Sequence, residues 1–438
     1  MFHGVPTRAG YNPFENVLSP SNVSSLHKLW SVPVASEVSS PAVVNGVRYV
    51  GSDYYHGKVF ALDADTGASV WAFPTGGAVY SSPAVANGVV YVGSYDYHVY
   101  ALDAATGAKL WSFWTGNYVV SSPLVADGVV YIGSEDDNIY ALDAATGVKL
   151  WSFHTGTYVD SSPALAEGMV YVGGDDHNVY ALDSSTGAEL WTFKTRNLVE
   201  SAPAVADGIV YVGGDDHNVY ALDAATGAKM WSYHTGNVVG SPAVAGGVVY
   251  VGSWDHNVYA LDAATGARLW SAPTGDRVAS SPTVANGVVY VGGWSGSRGI
   301  YALDAATGLK LYRFSGVGLV ESSPVVVNGM LYVASSNGVY ALGATSPARL
   351  PLSEPSVLRA NTTPSSHTRP RAVPSRPAGL IPDSPSYSRR SVRQGQAADE
   401  TPGASRRCPS RSRGPGRVRS PCRGTGAGPP SSGGWCAG

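Results

Sequence analysis

Residues 81–111 read SSPAVANGVVYVGSYDYHVYALDAATGAKLW, and close copies of this stretch recur about every forty residues from Ser39 to Tyr312. A fixed period of that length marks a repeat architecture, in which each unit buries its apolar faces against its neighbours. The spacing between Asp103 and Trp111 returns as Asp63/Trp71, Asp143/Trp151, Asp183/Trp191, Asp223/Trp231, Asp262/Trp270 and Asp304/Tyr312. An eighth copy opens at Ser322-Ser323-Pro324 and reaches Tyr340-Ala341-Leu342, where Gly343 replaces the Asp.

Within one unit the pattern predicts strands over 122–126, 129–134, 138–143 and 149–153. The first turn is Asn87-Gly88, Asp127-Gly128, Glu167-Gly168 or Gly246-Gly247, which supplies the positive φ that a two-residue hairpin requires. The second turn is rich in Asp, and the third is Ala-Thr-Gly or a close variant. Four short antiparallel strands per unit, repeated radially, describe an all-β propeller. The Ser-Pro or Ala-Pro starts end at Pro41, Pro83, Pro123, Pro163, Pro203, Pro242, Pro282 and Pro324, so the expectation is eight blades.

The two ends of the repeat body carry complementary defects. Leu29-Trp30-Ser31-Val32-Pro33 matches Leu110-Trp111-Ser112-Phe113, a last strand placed before any first strand. The eighth copy has Pro351 at its expected Trp position, and proline cannot donate to a ladder. Residues 26–34 are therefore expected to close the ring beside 339–342. This divides the chain into a lead segment, 1–20, an eight-bladed propeller, 21–343, and a tail, 344–438. The tail is rich in Arg, Ser, Pro and Gly and poor in apolar residues, a composition that reads as disordered.

The net charge of −3 conceals two opposed halves. Fifteen Arg and four acids follow Ala344, so the body carries about −14. An acidic body argues against a nucleic-acid partner, which needs a basic face. All three cysteines, Cys408, Cys422 and Cys436, lie in the tail. No run of about eighteen apolar residues suggests a membrane span, and Met1-Phe2-His3-Gly4 has the character of no export signal.

The repeated Asp and aromatic residues read as fold residues. The Asp103 carboxylate faces a turn whose N–H groups at Thr106 and Gly107 it can accept. Trp111 lies on the outer strand, where burying about 200 Å² between blades is worth at most about 5 kcal/mol. The same role is expected of Trp30 at the closing strand.

Functional candidates lie on the opposite face, where the second turns and the blade-to-blade connections open. Beside the central channel, just before each Ser-Ser-Pro or its variant, the copies differ, with Tyr80, Asp160, Glu200 and Glu321 at positions held elsewhere by Val120, Gly240 or Ala279. Asp160 and Glu200 fall on adjacent blades and could share a cation or a basic group of a partner; as plain structure they are solvated acids at a channel mouth. Trp114, His154 and His234 share one repeat position near the rim, with Tyr118 and Tyr158 nearby and Trp254 and Trp294 projecting from turns. Exposed aromatics anchor proteins or stack on sugars, and they also simply pack loops. The Asp/His turns, such as Asp96/His98, Asp176/His177, Asp216/His217 and Asp255/His256, fall one per blade, so they suit hairpin turns better than a shared metal ion.

The pattern A-x-D-x-x-T-G-x-x-x-W, as in Ala101 to Trp111, resembles the tryptophan-docking motif of the pyrroloquinoline-quinone (PQQ)-type propellers, and residues 20–343 are similar to that superfamily. The resemblance implies either a quinoprotein dehydrogenase or a non-enzymatic scaffold of the BamB type. A dehydrogenase of this kind implies an adjacent cysteine pair, a calcium site of Glu, Asn and Asp, and longer insertions. The body has no cysteine and near-minimal blades, with only the turn between Gly293 and Gly299 extended. The expectation is a scaffold without catalytic residues, metal or cofactor, monomeric, binding a protein or peptide, or a glycan. The alternative is a PQQ- and calcium-dependent dehydrogenase of alcohols or sugars. By resemblance the protein is extracytoplasmic.

Overall fold

The computed structural model describes residues 10–33, 39–52, 57–294 and 299–344. The expectations for residue 34, for 295–298 of the extended turn and for the tail at 345–438 lie outside the described residues. Eight sheets, seven of four strands and one of five, form the eight blades of a propeller. In the second blade the strands run outward from the channel as Ala84–Ala86, Val89–Gly93, His98–Asp103 and Lys109–Trp114.

Each blade is covered on both faces, which is why its two middle strands read as apolar runs. Val90, Val92 and Leu102 of the second blade pack on Tyr49, Val59 and Ala61 of the first. The core is thus distributed between blades. The first turn of each blade has positive φ at both central residues, +50° at Asn87 and +77° at Gly88, the geometry that matches strand twist. In the outer strand, pairing shifts between Lys109/Leu102 and Trp111/Ala101, so one residue bulges. Leu110 turns to solvent and Trp111 turns inward, 9 % exposed.

The docking motif works across the blade boundary. The Trp111 indole N–H donates to the Ala144 carbonyl of the next blade at 2.9 Å. Gly147, at φ +74°, lies under the ring, where a Cβ would meet indole carbons at 2.7 Å. Asp143 shapes that turn, its Oδ1 accepting the Thr146 N–H at 2.8 Å and the Thr146 hydroxyl at 2.7 Å. In the equivalent turn the Gly107 N–H donates to the Asp103 main-chain carbonyl, while the carboxylate accepts from the Thr106 N–H and hydroxyl. The same docking holds for Trp71, Trp151, Trp191, Trp231 and Trp270, and the turns of Asp63, Asp103, Asp183, Asp223, Asp262 and Asp304 are built alike.

The ring closes as expected. Strand Leu26–Val32 runs antiparallel to Gly338–Ala344, with Trp30 opposite Ala341 and Val32 opposite Val339. Trp30 then donates to the Ala64 carbonyl of the first blade at 3.1 Å.

The lead segment belongs to the packed structure. Tyr11–Asn12 adds a fifth, parallel strand to the channel edge of Thr283–Ala285 in the seventh blade. Asn12 donates to the Val326 carbonyl of the eighth blade at 2.7 Å, and Glu15 accepts from Val17, Leu18 and Gly329 N–H groups. Leu18, Val23 and Leu26 then fill the boundary between the seventh and eighth blades. That boundary lacks the docking turn, because Gly343 replaces the Asp. Tyr312 accordingly replaces Trp and donates its hydroxyl to the Leu26 carbonyl at 2.8 Å.

Candidate functional site

The Ser-Ser-Pro links, read from sequence as the start of the first strand, instead line the channel as extended connections. Second serines link neighbouring blades. The Ser82 N–H donates to Ser122 Oγ at 2.9 Å, Ser122 to Ser162 at 2.9 Å, and Ser323 to Ser40 at 2.8 Å. The first serine holds its own blade, as Ser81 Oγ accepts from the Gly93 N–H at 3.0 Å. The channel wall is therefore polar and fixed.

At the mouth of this channel a cavity of about 180 Å³ is lined by Asp160, Glu200 and Glu321 together with six of the link serines. A second cavity of about 150 Å³ lies beside it, with Tyr80 and Glu321 in its wall. Asp160, Glu200 and Glu321 thus line one cavity, and Glu321 is shared with the cavity walled by Tyr80. Asp160 and Glu200 are part-buried, and Asp160 Oδ1 is enclosed without a hydrogen-bond partner.

Three further carboxylates belong to this arc: Glu135, Asp175 and Asp215, each the first residue of a second turn. Sequence reasoning attended to the following position, the Asp of each Asp/His turn. That Asp is structural: Asp96 Oδ2 accepts from the Tyr100 hydroxyl at 2.7 Å and from the Gly76 N–H of the preceding connection at 2.6 Å. Asp136, Asp176, Asp216 and Asp255 bind the equivalent tyrosines. The informative signal was the variation at the first turn position, Tyr95, Glu135, Asp175, Asp215 and Trp254, beside an unvarying Asp.

Burial pushes Asp160 up to about 8, reinforced by the charges of Asp175, Glu135 and Glu200. Burial also raises Glu200 to about 7, with Asp215 and Asp175 adding to it. Asp175 rises to about 6 through burial and then Asp215, and its Oδ1 is also enclosed without a partner. Glu135 and Asp215 are raised as well, chiefly by burial. Like charges held together in a partly dry mouth disfavour ionisation, and a cation placed among them would reverse that.

Aromatic groups flank the acidic arc on both sides. Tyr118 stacks on Tyr95 at 4.3 Å between centroids, and Tyr80 meets Tyr95 edge-on at 4.8 Å. Beyond the arc, Trp254 stacks on Trp294 at 5.9 Å, with the Arg277 guanidinium over both rings. Tyr158 is half exposed. Trp114, His154 and His234 end the outer strands, opposite His98, Asn138 and Asn218, so the structure sets them at the rim and away from the channel.

An eight-bladed ring whose blades are joined by repeated tryptophan-docking turns is a propeller of the PQQ-like class. The family model described as "Outer membrane protein assembly factor BamB" matches residues 23–134, 99–160, 135–275 and 254–350, and the chain belongs to that family. BamB from Moraxella catarrhalis superposes with a TM-score of 0.63 at 21% identity, covering 73% of this chain and 99% of that one. A quinohemoprotein alcohol dehydrogenase from Pseudomonas putida HK5 gives 0.66 at 17% identity, over 78% of each chain. A europium-containing methanol dehydrogenase gives 0.67 at 17% identity, over 77% of this chain and 90% of that one. These likenesses establish the fold. No curated protein matches the chain.

Among the described residues no three His, Cys, Asp or Glu side chains are placed to hold one metal ion. The carboxylates of the arc sit on separate blades, and the body contains no cysteine. No described helix is long and apolar enough to cross a membrane.

Proposed function

We propose that this protein is a non-enzymatic scaffold that captures a protein partner on its loop-bearing face, with a Lys or Arg side chain of the partner seated between Asp160 and Glu200. The observation that carries this reading is the arc of part-buried carboxylates, whose pKa values are raised and whose neighbouring charges at Asp160 are all acidic. An arriving cation would restore their ionised forms and take up the enclosed Asp160 oxygen. The flanking tyrosines and tryptophans supply flat, rigid contact area, which suits a protein interface. Membership of the BamB family supports a protein partner and a place outside the cytoplasm. A monomeric ring is sufficient for this role.

Fluorescence anisotropy with labelled hexa-arginine and hexa-glutamate peptides tests the reading. The basic peptide should bind and the acidic one should not, and Asp160→Asn with Glu200→Gln should weaken binding about tenfold or more, a loss of about 1.4 kcal/mol. Unchanged binding would remove the two acids from the site. A parallel titration with PQQ and calcium addresses the dehydrogenase alternative, for which stoichiometric uptake would be required.

A further inference from the structure

Arg48 stands on the second strand of the first blade, where the other blades carry Val90, Val130, Val170, Val210, Val249, Val289 and Leu331. It is 0 % exposed. In the other boundaries this position packs on the Trp and Tyr of the preceding blade, as Val130 does on Trp111 and Tyr91. Arg48 meets the same pair at the closing boundary: its guanidinium carbon lies 4.3 Å from the centre of the Trp30 ring and 5.4 Å from that of Tyr332. Nη1 makes one long hydrogen bond, 3.4 Å to the Tyr340 carbonyl. Nε and Nη2, the edge of the guanidinium that ordinarily grips a carboxylate, are buried without a partner.

Opening a boundary normally exposes apolar surface, and water opposes it. Opening the boundary between the eighth and first blades has the opposite local effect at Arg48, because the guanidinium regains its hydration and its two orphaned donors find water. Trp30 also belongs to the one outer strand that is contributed from the far end of the chain, so once its ladder to Gly338–Ala344 parts, no direct chain connection holds the other strands of the eighth blade to the first. The aromatic faces of Trp30 and Tyr332 keep the charge tolerable while the ring is closed.

We infer that the strand Leu26–Val32 is a releasable strap, and that Arg48 sets the ring to open at the boundary between the eighth and first blades. Release bares two strand edges, Leu26–Val32 and Gly338–Ala344.

Hydrogen exchange followed by mass spectrometry on the full chain tests this. Peptides covering 26–32 should exchange about tenfold or more faster than those covering the equivalent strand 109–114. Arg48→Met, which keeps length and removes charge, should slow exchange in 26–32 and 338–344 about tenfold and leave 169–183 unchanged. Arg48→Lys should keep the fast exchange, since the buried charge remains. The inference is overturned if Arg48→Met leaves the strap unchanged or speeds its exchange, or if Arg48→Lys slows it as much as Met does.

Discussion

Tyr91 and Trp111 converge on one acceptor: the phenol and the indole N–H both donate to the Ala144 carbonyl, at 3.0 and 2.9 Å, with their rings 5.9 Å apart. Each blade thereby fixes the next through a carbonyl that carries two donors. Trp111→Ala removes the ring and one donor and should cost about 3–5 kcal/mol in urea unfolding. Trp111→Phe keeps most of the volume and should cost about 1–2 kcal/mol, largely the hydrogen bond.

Tyr290 holds the Tyr91 position in the seventh blade, but the eighth blade has no docking turn to receive it. Its hydroxyl is buried without a partner. Tyr290→Phe should therefore be neutral or stabilise by up to about 1 kcal/mol, whereas Tyr91→Phe should destabilise by about 1 kcal/mol. Thermal unfolding of the two variants, compared directly, checks the difference in sign.

Gly147 and Gly128 share a positive φ, +74° and +78°, and differ in what surrounds them. A Cβ on Gly147 meets the Trp111 ring at 2.7 Å, while one on Gly128 meets nothing within 4 Å. Gly128→Ala should cost about 1 kcal/mol for the backbone conformation alone. Gly147→Ala should cost about 3 kcal/mol or more, because the docked indole must also shift. Equal losses in chemical denaturation would contradict the docking geometry.

The blade count and the closing strand were legible because the constraints behind them act on single residues. Glycine at a positive φ, Asp in a tight turn and Trp on a bulged outer strand leave a mark at every repeat. The packing of Leu18, Val23 and Glu15 was not legible, since these residues fill a boundary that occurs once and has no repeat to be compared with. The channel mouth was half legible. Asp160 and Glu200 stood out against Val and Gly, but Glu135, Asp175 and Asp215 lay one residue from the turn Asp that drew attention, and only the radial arrangement joins them to the mouth.

The acidic mouth gives the fold a pH dependence with a definite sign. Asp160 and Glu200 are raised to about 8 and about 7 in the folded ring, above the ordinary carboxylate range of the unfolded chain. Between about pH 4 and 8 the folded state therefore binds more protons than the unfolded state, and stability falls as pH rises through that window. Below it these two acids are protonated in both states, and above it they are ionised in both, so their contribution to the slope vanishes at either end. Asp160→Asn removes the largest of these titrations, and its unfolding midpoint should lie above that of the parent at pH 8 and approach it at pH 4. Cation capture should run the other way, strengthening as pH rises from 6 to 8 because the ionised carboxylates are the binding form. Opposite pH trends for stability and for oligo-arginine binding, both flattened by the same substitution, are the expected signature. Parallel trends would place the titrating groups elsewhere.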